Sequence, residues 1–226
     1  MTQMPAKKNI LIVDDHPMSV DGYVMLLSSI EINKNAKYHL AYNCKEAYNL
    51  LKELETNNTA IDIAFFDINM PPYDEKKIMS GTDLAVLLRK TSPASKIVIL
   101  SYHEEPILVN KIFKSIKPEG FISKGDVNYR FFPEVYKKIM DNDFYFSPSI
   151  IKSQKHFIQK DFKWDEHDSK IVLLISQGIK TINLPKYIPL SLSAIEKRKA
   201  NIKKQLVFGT GTDLKMLEIL KTFGFI

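Results

Sequence analysis

Four short apolar runs each end on a residue that can do chemistry. Asp14 and Asp15 follow Asn9–Val13, Asp67 closes Ile61–Phe66, Ser101 closes Lys96–Leu100, and Lys124 follows Gly120–Ser123. A lone Asp or Ser after such a run commonly caps a turn. Brought to one edge, the set does more. Three clustered carboxylates repel one another unless a cation sits among them, and oxygen-only donors favour Mg²⁺, which often bridges to phosphate oxygens. A carboxylate such as Asp67 could then attack a phosphoryl group to give an aspartyl phosphate. Lys124 would pair with carboxylate or phosphoryl oxygens, and the Ser101 hydroxyl would donate to the phosphoryl group.

The elements that must position these groups follow from periodicity. Ala60–Pro72 (AIDIAFFDINMPP) reads as a strand buried on both faces and stopped by two prolines, with Asp67 at its C-terminal end. Asn9–Val13, Tyr38–Tyr42, Lys96–Leu100 and Gly120–Ser123 read as further strands. Helical stripes lie between and after them: from Pro17 (Val20, Val24, Leu27), over Lys45–Glu55, Thr82–Lys90, Pro106–Ser115 and Tyr129–Met140. Five βα units in a row imply a doubly wound, five-stranded parallel sheet covered by helices on both faces. Parallel strands bring their C-terminal ends to one edge, the edge where open α/β sheets bind ligands.

The 226-residue chain has room for one large or two small domains. It shows no apolar run of membrane-spanning length and no signal-peptide pattern in Met1–Lys8. Its single cysteine, Cys44, excludes an internal disulfide and a Cys-rich zinc site, so a cytoplasmic location is expected and an inert thiol. His16, His39, His103, His156 and His167 show no ligand spacing and read as loop or surface groups. Charge is uneven. Residues 147–226 hold 14 of the 32 Lys and Arg but only 7 of the 26 Asp and Glu, which points to a second, basic domain facing a polyanion.

Residues 9–146 resemble the receiver domain of two-component response regulators, through VDDHP (Val13–Pro17), FDINMP (Phe66–Pro71), LSYHEE (Leu100–Glu105) and GFISK (Gly120–Lys124). The resemblance implies a flavodoxin-like receiver in which Asp67 accepts a phosphoryl group from a sensor histidine kinase. It also implies that Asp14, Asp15, Asp67 and the backbone carbonyl of Asn69 hold Mg²⁺. Ser101 takes the switch hydroxyl position, Phe121 the switch aromatic, and Lys124 the pocket lysine. Three departures stand out. Pro71–Gly81 is longer than the usual loop, Tyr102 is bulky enough to cover Asp67 in part, and Phe121 lacks a tyrosine hydroxyl. On phosphorylation Ser101 is expected to move toward the new oxygens and Phe121 to turn inward.

Ser147–Trp164 reads as a basic linker, with a short helix around Ser149–Phe157. Beyond it a helix opens at Asp165 and ends at Gly178. A short segment spans Thr181–Ile188, and Ser191 caps a helix running to about Leu206. Gly209 and Gly211 break that helix, and Asp213–Phe223 forms the last one. On a helical wheel Ile195, Ile202 and Leu206 fall within about 20° of one line, while Ser193, Lys197, Ala200 and Lys204 lie opposite with Asn201 beside them. Residues 165–223 resemble the four-helix, helix-turn-helix DNA-binding domain of LuxR/NarL-type regulators. The segments that carry this are KIVLLISQGIKTINLPKYI and SLSAIEKRKANIKKQL. Pro185 and Glu196 depart from that pattern.

The resulting expectation is a regulator of transcription rather than an enzyme: receiver 1–146, linker 147–164 and helix-turn-helix 165–226. Double-stranded promoter DNA would be contacted by Lys197, Asn201 and Lys204, with Ser193 and Lys199 near phosphates. A homodimer would form through the receiver or through Leu214, Leu217 and Leu220. An alternative is an interaction module whose basic tail binds an acidic protein or RNA. A haloacid-dehalogenase-type phosphatase would need two aspartates one residue apart after the first strand, whereas Asp14 and Asp15 are adjacent.

Overall fold

The fold is described from a computed structural model, over residues 7–161, 164–206, 212–223 and 226. Contacts divide it into two compact units, Met1–His103 with Pro118–Ser147, and Glu104–Lys117 with Pro148–Ile226.

In the first unit β1 (Asn9–Val13), β2 (Lys37–Ala41), β3 (Ile63–Asp67), β4 (Lys96–Ser101), β5 (Gly120–Ser123) and β6 (Tyr145–Phe146) form one sheet in the order β2-β1-β3-β4-β5-β6. Every pairing is parallel. The expected count of five strands is therefore corrected to six. A two-residue strand carries too little periodicity to be read from sequence, yet it pairs with the edge of β5. The Tyr145 N–H donates to the Glu119 carbonyl at 2.9 Å and the Ser147 N–H to the Phe121 carbonyl at 3.0 Å.

The helices of this unit are α1 (Pro17–Ser28), α2 (Cys44–Thr56), α3 (Gly81–Thr91) and α5 (Phe132–Met140); α4 (Pro106–Ile116) belongs to the second unit. Pro17 occupies the first turn of α1, as its fixed φ favours. Asn43 caps α2 by accepting the Glu46 N–H at 2.9 Å, while the Glu46 carboxylate accepts the Tyr42 N–H at 2.8 Å. The fifth helix starts at Phe132 rather than Tyr129: Asn128 Oδ1 accepts the Arg130 N–H at 3.0 Å, a turn that Pro133 then converts into a first helical turn. Ile10, Ile12, Phe65, Val98, Leu100 and Ile122 from the strands pack with Val20, Leu27, Phe132 and Tyr136 from the helices. Cys44 is buried, and burial followed by the nearby Asp83 charge pushes its thiol up to about 11, in keeping with an inert residue.

In the second unit, α6 (Pro148–Asp161) occupies most of the segment expected as a linker and exceeds the short helix expected there. After it come α7 (Glu166–Ser176), a 3-10 helix over Thr181–Lys186, α8 (Leu192–Gln205) and α9 (Asp213–Thr222). The second of the four expected helices is thus 3-10, with Pro185 inside it. A 3-10 turn this short tolerates the missing donor. Asp165 and Asp168 form a reciprocal capping box on α7, and Ser191 Oγ accepts the Ala194 N–H at 3.2 Å to open α8. Gly209 and Gly211 lie outside the described residues. No described helix is long and apolar enough to cross a membrane.

Candidate functional site

The sheet register assembles the first site. Val13 pairs with Phe66 on β3, Asp67 with Leu100 on β4, and Ser101 with Ser123 on β5, so Asp14, Asp67, Ser101 and Lys124 emerge at one edge. Asp14, Asp67 and Ser101 are all buried. Lys124 Nζ donates to Asp14 Oδ2 and Asp67 Oδ2, each at 2.8 Å, with its side chain 6% exposed. Burial works against the ammonium, but the two hydrogen bonds prevail and raise the Lys124 pKa. Asp67 shifts the other way in character. Burial holds its carboxyl above the usual range, Asp14 adds to the rise, and Lys124 with the Ile68 N–H offset it only in part.

Gly81, the first residue of α3, seats the loop that carries the site. Its N–H donates to the Ile68 carbonyl at 3.0 Å, and a Cβ there would lie 1.7 Å from the Asp67 carbonyl oxygen. The long loop before it closes on itself. Tyr73 and Ile78 bridge in antiparallel fashion around a 3-10 turn, Asp74–Lys76, and a left-handed Lys77 (φ 55°). The Tyr73 ring meets Tyr48 of α2 edge-on at 5.8 Å, so the extra length folds onto α2.

Carboxylate oxygens of Asp14, Asp15 and Asp67 lie within 4.8 Å of one another together with a ring nitrogen of His16. Asp15 Oδ1 is buried and makes no hydrogen bond, although His16 Nδ1 stands 2.7 Å away outside hydrogen-bond geometry. A buried, oxygen-rich set with one orphaned oxygen fits a hard divalent cation. His16, expected as a surface group, proves to border this cluster; its place directly after the two aspartates was the signal available. His103 is the second such histidine. Its N–H donates to Ser101 Oγ at 2.8 Å, and its Nε2 accepts from Asn69 Nδ2 at 2.8 Å. Tyr102 is 74% exposed and places its ring centroid 5.7 Å from Lys124 Nζ, a cation–π contact at the rim. Phe121 is fully buried and already faces inward.

The second candidate site is the exposed side of α8. Ile195, Ile202 and Leu206 are buried as the wheel requires, and Ser193, Lys197, Ala200, Asn201 and Lys204 are exposed. Lys197, Asn201 and Lys204 line an open groove whose other wall includes Asp165 and Asp168. Other basic groups of α8 are engaged. Arg198 Nη1 bonds Asp165 Oδ2 at 2.8 Å and Asp168 Oδ1 at 2.9 Å. Lys199 Nζ donates to Thr181 Oγ1 at 2.7 Å and Asp213 Oδ2 at 3.0 Å, and Lys203 Nζ lies 2.6 Å from Asp213 Oδ1. Burial of Asp213 is outweighed by Lys203 and Lys199, which hold its carboxyl below the usual range. Of the three leucines expected at a dimer face on α9, Leu220 is buried, Leu217 half-buried and Leu214 exposed.

Comparison with known proteins agrees with this fold. Solved structures of the RcsB response regulator of Salmonella typhimurium match at 19% identity, covering 96% of this chain and 99% of that one, with a TM-score of 0.54. A complex of RcsB with DNA matches at 18% identity over 96% of this chain and 98% of that one, TM-score 0.55. A LuxR-family response regulator from Aurantimonas matches at 22% identity over 67% of this chain and 97% of that one, TM-score 0.51. These likenesses are of fold. No curated protein is significantly similar to the chain. Residues 10–127 match the response regulator receiver domain family, and with the Asp67–Lys124–Asp14 cluster at the sheet edge they make this chain a member of that family.

Proposed function

We propose that the chain is a phosphorylation-dependent transcriptional regulator, with a receiver over 1–146, a connecting segment over 147–164 and a DNA-binding helix-turn-helix over 165–226. The observation that carries the reading is the buried pair of carboxylates, Asp14 and Asp67, bridged by Lys124 at the C-terminal sheet edge. An Asp67 oxygen attacks the phosphorus of a kinase phosphohistidine. The P–N bond breaks, its electron pair returns to the imidazole, and an aspartyl phosphate remains. Asp14, Asp15, Asp67 and the Asn69 carbonyl would hold Mg²⁺, which would supply positive charge to offset the phosphoryl oxygens. Lys124 keeps its bond to Asp14 and turns its second bond to the phosphoryl group. Ser101 Oγ, now an acceptor from the His103 N–H, still has its own proton to donate to a phosphoryl oxygen.

In the second unit Lys197, Asn201 and Lys204 are the groups placed to meet duplex DNA, with Ser193 close to the backbone. RcsB, of similar fold, has been captured on DNA, including as two dimers on two parallel DNAs, which supports a DNA-binding dimer here. Lys199 serves α8 by tying it to Thr181 and Asp213. A second reading, the interaction module, draws support from Arg198, Lys199 and Lys203 being engaged by carboxylates. Selection from random duplex DNA, with and without a phosphoryl donor and Mg²⁺, separates the two. An enriched two-fold site that sharpens with donor in the wild type, and not in Asp67→Ala, is expected. Salt-sensitive binding without enrichment would favour the interaction module.

A further inference from the structure

Glu196 is the one acidic residue of α8, a helix otherwise rich in Lys and Arg, and it is exposed. A carboxylate on a helix ordinarily pairs with a cation three or four positions along. Position 200 is Ala, and positions 192 and 193 are Leu and Ser, so Lys199 is the one cation at that spacing. Lys199 is taken. Two of its three donor protons go to Thr181 Oγ1 at 2.7 Å and Asp213 Oδ2 at 3.0 Å, and Asp213 Oδ1 holds Lys203 at 2.6 Å. Among the described residues Glu196 forms no hydrogen bond or ion pair. The first residue of α9 thus withdraws the lysines that would neutralise Glu196 and leaves its charge free.

Its placement suits a reading role. Glu196 lies in the second turn of α8, and recognition helices meet base edges through their N-terminal residues. Its neighbours along the helix surface, Ser193 and Ala200, are exposed and short, so the carboxylate has the longest reach of that row. A carboxylate only accepts hydrogen bonds, and beside phosphates it is repelled. In the major groove guanine and thymine present acceptors, and adenine sets its N7 acceptor beside the N6 donor. Cytosine presents the N4 proton that base pairing leaves free, with no acceptor of its own. Against any other base the carboxylate would give up its water without a full return, so it filters sequences as well as contacting one.

We propose that Glu196 reads a C·G pair: its carboxylate accepts the free N4 proton of a cytosine in the major groove. The proposal rests on α8 being a DNA-reading helix. Selection from random duplex DNA tests it, using the full chain with Mg²⁺ and a small phosphoryl donor, for the wild type, Glu196→Ala and Glu196→Gln. Glu196 is exposed and bonds to none of the described residues, so both variants keep the fold. The wild type is expected to enrich a site with one position in each half where cytosine is favoured about tenfold or more. In Glu196→Ala the preference at that position alone is lost. In Glu196→Gln it passes to adenine, whose N6 and N7 match a side-chain amide. Two outcomes overturn the assignment: an enriched wild-type site whose base preferences both variants share, and variants that only bind every sequence more tightly, as relief of phosphate repulsion alone would give. Neither touches the DNA-binding reading. No enriched site in the wild type defeats that reading, and the assignment with it.

Discussion

The receiver edge and the α8 face are both built from charged residues, and they use charge in opposite ways. At the receiver edge Asp14, Asp67 and Lys124 come from three strands and are removed from water, so each depends on the others. On α8 the lysines come from one helix. Arg198 is engaged by Asp165 and Asp168, and Lys199 and Lys203 by Asp213, while Lys197 and Lys204 remain exposed along the groove. Buried charge makes a site in which loss of the one cation strands both carboxylates. Exposed charge makes a surface whose members act almost independently.

The sharpest way to break that contrast is Lys124→Ala. It leaves two buried carboxylates without their cation and should cost about 3–5 kcal/mol in denaturant unfolding with chelator present. Lys204→Ala should stay within about 0.5 kcal/mol. Similar costs at the two positions would refute the distinction. Gly81→Ala comes next, at about 2–4 kcal/mol, because its Cβ would meet the Asp67 carbonyl and the backbone has to move.

Asp67→Asn should act in the other direction and raise the thermal midpoint by a few degrees at neutral pH in chelator. The native state raises the Asp67 pKa, so its ionisation opposes folding; that cost is absent below the ordinary Asp range and grows as pH rises through it. The gap between variant and wild type should close as the pH is lowered to about 4 and below. A gap that widens in acid would contradict the burial argument. The smallest effects belong to α8. Lys197→Ala and Lys204→Ala should each lower the salt slope of DNA binding by about 1, whereas Lys199→Ala should leave the slope unchanged and cost about 0.5 kcal/mol of stability.

The same contrast explains what could be read from the chain alone. A run such as IAFFD reports a two-sided buried strand and the residue at its end, and parallel topology does the rest, so Asp14, Asp67, Ser101 and Lys124 were legible as one set. The companions of α8 were not. A helical wheel orders residues within one helix, but Asp213 closing on Lys199 and Lys203 depends on how α9 returns. His16 and His103 were missed because a histidine in a loop carries no periodic signal. The segment of α6, polar and basic, reads as a linker with only a short helix around Ser149–Phe157; the polar Ser153 and Gln154 in its stripe are the residues that bond to the α4 segment. The sixth strand was too short to register, and Ser147, buried beside β5, looked like an ordinary turn residue.

The most direct test of the account is the intact mass of the chain after treatment with a small phosphoryl donor and Mg²⁺, read beside Asp67→Asn and Lys124→Ala. A single base-labile, hydroxylamine-sensitive phosphoryl group on the wild type, located at Asp67 by peptide mapping and absent from Asp67→Asn, is the predicted result. A wild type that gains no phosphoryl group, or gains one at a residue other than Asp67, would contradict it.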